Sequence, residues 1–261
     1  DLNAYSKGRF VLGLGSQIRA HITKRFSMPW SSPAARMREF ILAMRAIWDN
    51  WHEGKALEFA GKFYTHTLMT PFFTPSGNDF GAPKVFLAAV GPKMTEVAGE
   101  VADGMIVHAF TTEKYLRETT LPSLEKGFAK AGKTRADFEI SYPVFVCTGQ
   151  TEEELEEAKR ATAQQIAFYG STPAYKPVLD SIGVGELQGD LNSMSKQGRW
   201  VEMGELITPE IMSEFAIIGE PDKVAGQIRS RYGDIVDRTS AAYANIPKSE
   251  RIKIISELSA G

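Results

Sequence analysis

The chain has 261 residues, of which 43% are hydrophobic and 24% are charged, and its formal net charge at pH 7 is −2. This composition is that of an ordinary globular protein, and the near-neutral charge excludes a strongly basic binder of nucleic acid or of an anionic membrane surface. The one cysteine, Cys147, cannot form an internal disulfide, and the start lacks a signal-peptide pattern, so we expect a cytoplasmic protein without membrane contact.

The first third of the chain predicts a strand, a polar loop, a helix and a hairpin. The strand is a short apolar run that ends at Gly15, and the loop after it carries His21. The helix begins at Pro33 with a preceding serine as its cap, and apolar residues recur at helical spacing until Gly54. A glycine turn at Gly61 then indicates the hairpin.

The stretch from residue 83 to 112 reads as strand, tight turn, helix and strand. Lys84–Ala89 is an apolar run of strand length, and Val90-Gly91-Pro92 interrupts it. Met94–Ala102 repeats apolar residues at helical spacing, and Met105–His108 is the next strand. The turn therefore connects a strand directly to the beginning of a helix.

Such a turn can bind an anion, because the first backbone N–H groups of a helix have no partner within the helix. Gly91 lets a ligand approach the backbone, Pro92 suits the first helical position, and Lys93 adds positive charge. Taken by itself, the turn favours a simple helix cap over phosphate binding. Thr111 and Thr112 follow the next strand, at the end where α/β barrels carry their chemistry.

The second half of the chain predicts a strand-rich run, a helical stretch and a last strand with its helix. Phe138–Thr148 is rich in β-branched and aromatic residues, and Thr151 with Glu154 forms a capping box that begins a helix ending near Tyr169. The further predicted elements are a helix from Glu113 to Ala131 that Gly132 ends, short helices between Ala174 and Glu205, a helix from Glu220 to Tyr232, a strand at Arg238–Tyr243 and a helix at Lys248–Leu258.

This order of elements predicts an α/β fold with parallel strands, and five strands can be counted. A closed (β/α)₈ TIM barrel needs eight strands. The sequence therefore predicts a barrel that lacks its first three βα units, which would lie upstream of Asp1.

Three motifs in this order resemble the bacterial-luciferase-like superfamily of flavin and deazaflavin oxidoreductases. They are Gly8-Arg-Phe-Val-Leu-Gly-Leu-Gly15, Leu87-Ala-Ala-Val-Gly-Pro92 and Phe215-Ala-Ile-Ile-Gly-Glu-Pro-Asp222. The segments Gly15–His21, Arg25–Trp30 and Phe168–Tyr175 look most like the branch that uses the deazaflavin coenzyme F420. The resemblance favours phosphate binding over a simple cap at Gly91.

The resemblance implies one barrel domain over residues 1–261, with a helical insertion at about residues 151–235 before the last strand. It also implies a homodimer. For the cofactor it implies a phosphate held by the backbone at Val90 and Gly91, and a polar side chain, His21, in the loop after Gly15. The end of the next strand adds the remaining implied contacts, His108, Thr111 and Thr112.

The resemblance implies hydride transfer between coenzyme F420 and a small organic substrate, a chemistry that the cofactor performs and the protein positions. A catalytic residue stays unknown, because a relative's catalytic glutamate aligns with Ile18. The alternatives are an FMN-dependent monooxygenase and a non-catalytic flavin-binding protein. Spacings typical of metal sites or of serine hydrolases are not present in the sequence, so we expect no metal.

Overall fold

The computed structural model describes residues 1–240 and 246–260. The chain divides into two compact units. The first unit comprises Asp1–Ile106 and Ser123–Glu139, and the second comprises Val107–Pro122 and Ile140–Gly261. The single domain that the resemblance implies stays a prediction.

The described residues contain twelve α-helices and nine strands. The helices are α1 Leu2–Tyr5, α2 Pro33–Glu53, α3 Pro92–Val101, α4 Glu113–Tyr115, α5 Leu121–Ala131, α6 Glu152–Gly170, α7 Lys176–Ser181, α8 Leu187–Lys196, α9 Trp200–Glu205, α10 Pro209–Phe215, α11 Pro221–Tyr232 and α12 Lys248–Ser259. The strands are β1 Val11–Leu14, β2 Phe59–Ala60, β3 Thr65–His66, β4 Lys84–Ala89, β5 Gly104–Val107, β6 Glu139–Pro143, β7 Phe145–Cys147, β8 Ala216–Ile218 and β9 Arg238–Ser240.

The first unit contains three neighbouring strands in the order β1, β4, β5. Strands β1 and β4 are parallel, with Val11 opposite Lys84 and Leu14 opposite Leu87. The central strand is buried along most of its length, which is the reason for its continuous apolar sequence. These three strands confirm the strands that the sequence predicts before residue 110, and β2 and β3 form the predicted antiparallel hairpin.

The ends of α2 follow from local backbone chemistry. Pro33 occupies the first turn as predicted, and Gly54 ends the helix in the left-handed region with φ of 69°. The predicted serine cap is only half right, because Ser32 holds the capping position without a side-chain hydrogen bond. Its φ of 41° turns the side chain away from the usual capping geometry.

Close helix contact and one charged pair hold the outer layer of the first unit together. Helices α3 and α5 approach so closely that a Cβ added to Gly127 would lie 2.1 Å from the carbonyl oxygen of Glu96. Arg45 on α2 donates two hydrogen bonds of 2.9 Å to the carboxylate of Asp103, which follows α3. This bidentate pair fixes α2 against the connection between α3 and β5.

The second unit contains two parallel strand pairs, β6 with β9 and β7 with β8. The predicted single run Phe138–Thr148 is therefore wrong in one respect: it divides at Val144 into two strands with different partners. Pro143 ends β6 because proline has no N–H for continued pairing. Residues 241–243 of the predicted last strand lie outside the described residues.

Strand β8 corrects the predicted helical insertion. Its three residues lie within residues 151–235, so the wholly helical stretch ends at Phe215. The stretch begins as predicted, because the Thr151 hydroxyl accepts the N–H of Glu154 at 3.2 Å and the Glu154 carboxylate accepts the N–H of Thr151. Buried side chains such as Ile166 and Leu191 form the core beneath it.

The predicted helix from Glu113 to Ala131 contains an irregular turn. Residues Leu116–Thr120 form a π-helical turn between α4 and α5. Pro122 follows directly and cannot donate a backbone hydrogen bond to the preceding turn, which favours this wider winding. Gly132 ends the helix as predicted, with φ of 66°.

The sequence predicts a TIM barrel without its first three βα units, and barrel closure is not observed in the described part of the chain. The strands of residues 1–240 form open sheets, and the α/β character with parallel strands is confirmed. The predicted absence of three βα units stays a prediction. Within the described residues, the helices are too short or too polar for any of them to cross a bilayer.

Candidate functional site

The carboxyl ends of β1 and β4 lie at the same edge of the first unit's sheet. Their parallel register ends with Leu14 opposite Leu87, and a Cβ added to Gly15 would lie 3.5 Å from the Cβ of Ala88. The loop after β1 and the turn after β4 therefore begin side by side. Gly15 and the Val90–Gly91 turn, for which the resemblance implies cofactor contacts, thus follow two strands that end at the same edge.

The turn after β4 leaves its backbone open. A Cβ added to Gly91 would meet nothing within 4 Å, and its φ of −82° is accessible to any residue. The Gly91 carbonyl accepts the N–H groups of Met94 and Thr95, each at 3.1 Å. In the part of the chain that the structure describes, the N–H groups of Gly91 and Lys93 have no acceptor. This helix beginning can bind an anion.

The loop after β1 has an unusual backbone. Gln17 has φ of 58°, in the left-handed region, and His21 opens a π-helical turn that ends at Arg25. The Nδ1 atom of His21 lies 3.1 Å from Oε1 of Gln17, which orients the imidazole ring. Strained backbone and π-helical turns both concentrate at functional loops, so this segment is a candidate for ligand contact.

A cavity of about 370 Å³ lies between this loop, α2 and the β2–β3 hairpin. Its walls are mostly apolar and aromatic, formed by Leu14, Ile22, Trp30, Met37, Phe40 and Tyr64. Gly15, Ser16 and Arg36 also line it. A cavity of this size with few polar groups is typical of small-molecule sites.

The wall at Tyr64 is held by one carboxylate. Glu39 on α2 accepts backbone N–H groups from Lys62, Phe63 and Tyr64 at 3.0, 2.6 and 2.7 Å. Burial by itself would raise the pKa of Glu39, but these three hydrogen bonds hold it below its usual value. Gly61 is required at the turn because a Cβ there would lie 2.2 Å from the Glu39 carboxylate.

In the second unit, His108 lies among aromatic rings. The ring centre of Tyr169 is 4.6 Å away, edge-on, and that of Tyr175 is 4.8 Å away. Burial lowers the pKa of His108 to about 4, so the ring is neutral near pH 7. Nδ1 accepts the N–H of Phe110 at 3.0 Å, which places the remaining proton on Nε2. His108 is therefore a fixed hydrogen-bond donor.

The two neighbouring threonines of the second unit differ in their bonding. Thr112 is fully buried, and its hydroxyl accepts the N–H of Tyr115 at 3.1 Å as the cap of α4. Thr111 is also buried, but its hydroxyl has no partner in the described part of the chain. A buried polar atom without a partner is rare and indicates a group that a ligand could complete.

The sequence identifies only part of these surroundings. It names Gly15, His21, Val90 and Gly91 in the first unit, and His108, Thr111 and Thr112 in the second, but not the cavity wall at Arg36 and Tyr64. Tyr169 and Tyr175 appear in it only within a family motif, although their aromatic sequence could have indicated packing on His108. Residues 1–240 and 246–260 contain no group of three or more His, Cys, Asp or Glu arranged for a metal ion.

The parallel strands, with glycine turns and an open helix beginning at their carboxyl ends, define an α/β protein. In open α/β sheets, ligands generally bind at this edge. Comparison with known proteins identifies the family. The chain belongs to the luciferase-like monooxygenase family, whose sequence model matches residues 1–238. The family resemblance predicted from the motifs is thereby confirmed.

Similar proteins include one of unknown activity and two reductases. An uncharacterised protein of Mycobacterium tuberculosis is 52% identical over 238 residues, covering 91% of this chain and 70% of that protein. The 5,10-methylenetetrahydromethanopterin reductase of Archaeoglobus fulgidus is 29% identical, covering 87% and 65%. The structure of the coenzyme F420 dependent tetrahydromethanopterin reductase from Methanopyrus kandleri matches with a TM-score of 0.71 at 22% identity, covering 91% and 69%. The chain thus spans 65% to 70% of these proteins.

Proposed function

We propose that the protein is an oxidoreductase that transfers a hydride between coenzyme F420 and a small organic substrate. The observation that carries the proposal is the open turn after β4, where the N–H groups of Gly91 and Lys93 have no acceptor in the described residues. The family membership and the reductases similar to this chain support a redox cofactor. The finer assignment to F420 rests on the motifs and on the names of these relatives.

The residues of the first unit fit a phosphorylated cofactor. The backbone at Val90 and Gly91 would hold the phosphate, and the exposed Lys93 would add positive charge. Gly15 leaves room at the end of β1, and His21, oriented by Gln17, would offer its other ring nitrogen to the cofactor ring. When bound, the deazaflavin supplies the hydride chemistry itself.

In the second unit, we assign to the cofactor the two polar groups that have bonding capacity left. His108 would donate from Nε2 and stay uncharged at neutral pH. Thr111 would use its unpartnered hydroxyl. Thr112 remains a predicted contact through its backbone, because its hydroxyl already caps α4.

An FMN-dependent monooxygenase on the same scaffold is the second candidate, because the family is described as luciferase-like monooxygenases. Its phosphate would use the same turn, so the geometry of Gly91 favours neither cofactor. A non-catalytic flavin-binding protein is the third candidate, because Ile18 stands where a relative has a catalytic glutamate. We further propose a homodimer, as the resemblance implies, and a cytoplasmic location, as the single cysteine favours.

The test is a spectroscopic titration of the purified protein with F420 and, separately, with FMN. We expect saturable binding of F420 and reduction of the bound coenzyme by a substrate. Binding of FMN without binding of F420 would refute the first proposal, and binding of F420 without turnover of any substrate tried would favour the third candidate. Light scattering of the same sample measures the oligomeric state.

The phosphate position is tested by Gly91→Val. A Cβ at this position meets no protein atom within 4 Å, so we expect the fold to tolerate the substitution, but the side chain blocks ligand approach to the backbone. Loss of one charge-assisted hydrogen bond weakens binding by about 10-fold or more. Gly77→Val is the matched control, because a Cβ there also meets nothing within 4 Å. Unchanged affinity of the Gly91 variant would place the phosphate elsewhere.

A further inference from the structure

Arg36 is a cation at the cavity of the first unit that forms no ion pair with a carboxylate of the described residues. In the ranges 1–240 and 246–260, its guanidinium donates one side-chain hydrogen bond, to the Ser31 hydroxyl at 2.8 Å, and forms no ion pair. It also lies over the ring of Phe63, with 4.5 Å between Cζ and the ring centre. The planar group is thus held in place while most of its five N–H donors stay available.

The acidic side chain of Glu39, on the next turn of α2, already has hydrogen-bond partners. Glu39 lies one helical turn beyond Arg36. The positive charge of Arg36 contributes to the lowered pKa of Glu39. Its two oxygens, however, accept three backbone N–H groups of the hairpin turn. Glu39 therefore offsets part of the field of Arg36 without forming an ion pair with it. A ligand carboxylate would find the guanidinium fork free for a bidentate contact.

The rest of the cavity favours a ligand whose remaining part is apolar or aromatic. Apart from Arg36, Gly15 and two serines, Ser16 and Ser31, the lining is mostly apolar. Trp30, Phe40 and Tyr64 contribute aromatic faces. The volume of about 370 Å³ is at the small end of ligand sites. An extended nucleotide does not suit this shape and chemistry, whereas a small apolar or aromatic acid does.

We propose that this cavity binds a small organic acid, with its carboxylate on Arg36 and its apolar or aromatic body against Trp30, Phe40 and Tyr64. The binding site stands on the first unit alone and does not depend on which cofactor is used. That the acid is the partner in hydride transfer rests on the function proposed above, because Gly15 lines the cavity and is also assigned to the cofactor.

The experiment is calorimetric titration of the protein, without any cofactor, with 4-phenylbutanoate and with its neutral analogue 4-phenylbutanamide. We expect the acid to bind at least about 10-fold more tightly than the amide, because a charge-assisted bidentate contact contributes that much. Equal affinity for the two compounds, or no binding of the acid, would overturn the proposal. Since no cofactor is present, failure of F420 binding leaves this result unaffected.

Variants locate the contact. Arg36→Met should remove the preference for the acid, and Arg36→Lys should keep part of it, because lysine retains the charge but not the fork. Arg38→Met is the matched control, because Arg38 lies on the same helix but pairs with Glu100. Trp30→Phe should abolish the change in tryptophan fluorescence on binding. A preference for the acid that survives Arg36→Met would refute the assignment to Arg36.

Discussion

The buried histidine of the second unit predicts a measurable pH dependence of stability. The pKa of His108 lies at about 4 in the folded protein, against an ordinary value of 6.5, because burial disfavours the charged ring. Between these values the unfolded chain binds a proton that the folded chain does not. The free energy of unfolding therefore decreases as the pH falls from about 6.5 to about 4.

The magnitude follows from the two pKa values. The full difference corresponds to about 3 kcal/mol, since a tenfold change in proton affinity is worth about 1.4 kcal/mol. Between pH 7 and pH 5, His108 alone should remove about 2 kcal/mol of stability. Well below pH 4 the contribution changes no further, because the ring is then protonated in both states.

The assay is urea unfolding at pH 7 and pH 5, for the natural protein and for His108→Asn. Asparagine keeps an acceptor for the Phe110 N–H but does not titrate. Between pH 7 and pH 5, the variant should therefore lose about 2 kcal/mol less unfolding free energy than the natural protein. His52→Asn is the control, because His52 is exposed in the last turn of α2. Equal pH dependence of the natural protein and His108→Asn would refute the reasoning about burial.

Two further predictions concern the scaffold. Gly61→Ala places a Cβ against the Glu39 carboxylate and should cost about 1–3 kcal/mol in urea unfolding, and a neutral effect would contradict the close contact. Thr151→Ala removes the cap of α6 and should cost about 1 kcal/mol in the same assay, whereas Thr151→Ser should retain most of the stability.

The strand and turn at the carboxyl end of β4 could be predicted because their signals are local. An apolar run of strand length and a Gly-Pro turn fix the backbone there through neighbouring residues. The capping box that begins α6 is a local signal of the same kind. Strand β8 could not be predicted in this way. Its three residues become a strand because β7 lies beside them, and that partner is distant in the sequence. The same argument explains why the run Phe138–Thr148 divides into β6 and β7, because their partners, β9 and β8, are also distant in the sequence.

The cavity at Arg36 depends on tertiary contacts in the same way. Glu39 reaches the turn at residues 62–64 across more than twenty positions, and this contact brings Tyr64 to the wall. Nothing in the sequence near Arg36 distinguishes it from the other arginines of α2. By contrast, the shared edge of Gly15 and Gly91 is predictable, because parallel strands bring their carboxyl ends together.

The two threonines after β5 are equivalent in the sequence, and the structure separates them. Thr112→Val should lower stability by about 1 kcal/mol, because the cap of α4 is lost. Thr111→Val replaces a buried hydroxyl that has no partner in the described residues, so stability should stay equal or rise. If Thr111 contacts the cofactor, the same substitution weakens cofactor binding although the fold is no less stable. Chemical unfolding and cofactor titration of both variants measure the two effects separately. Loss of stability in Thr111→Val with unchanged cofactor affinity would show that the hydroxyl serves the fold and not the ligand.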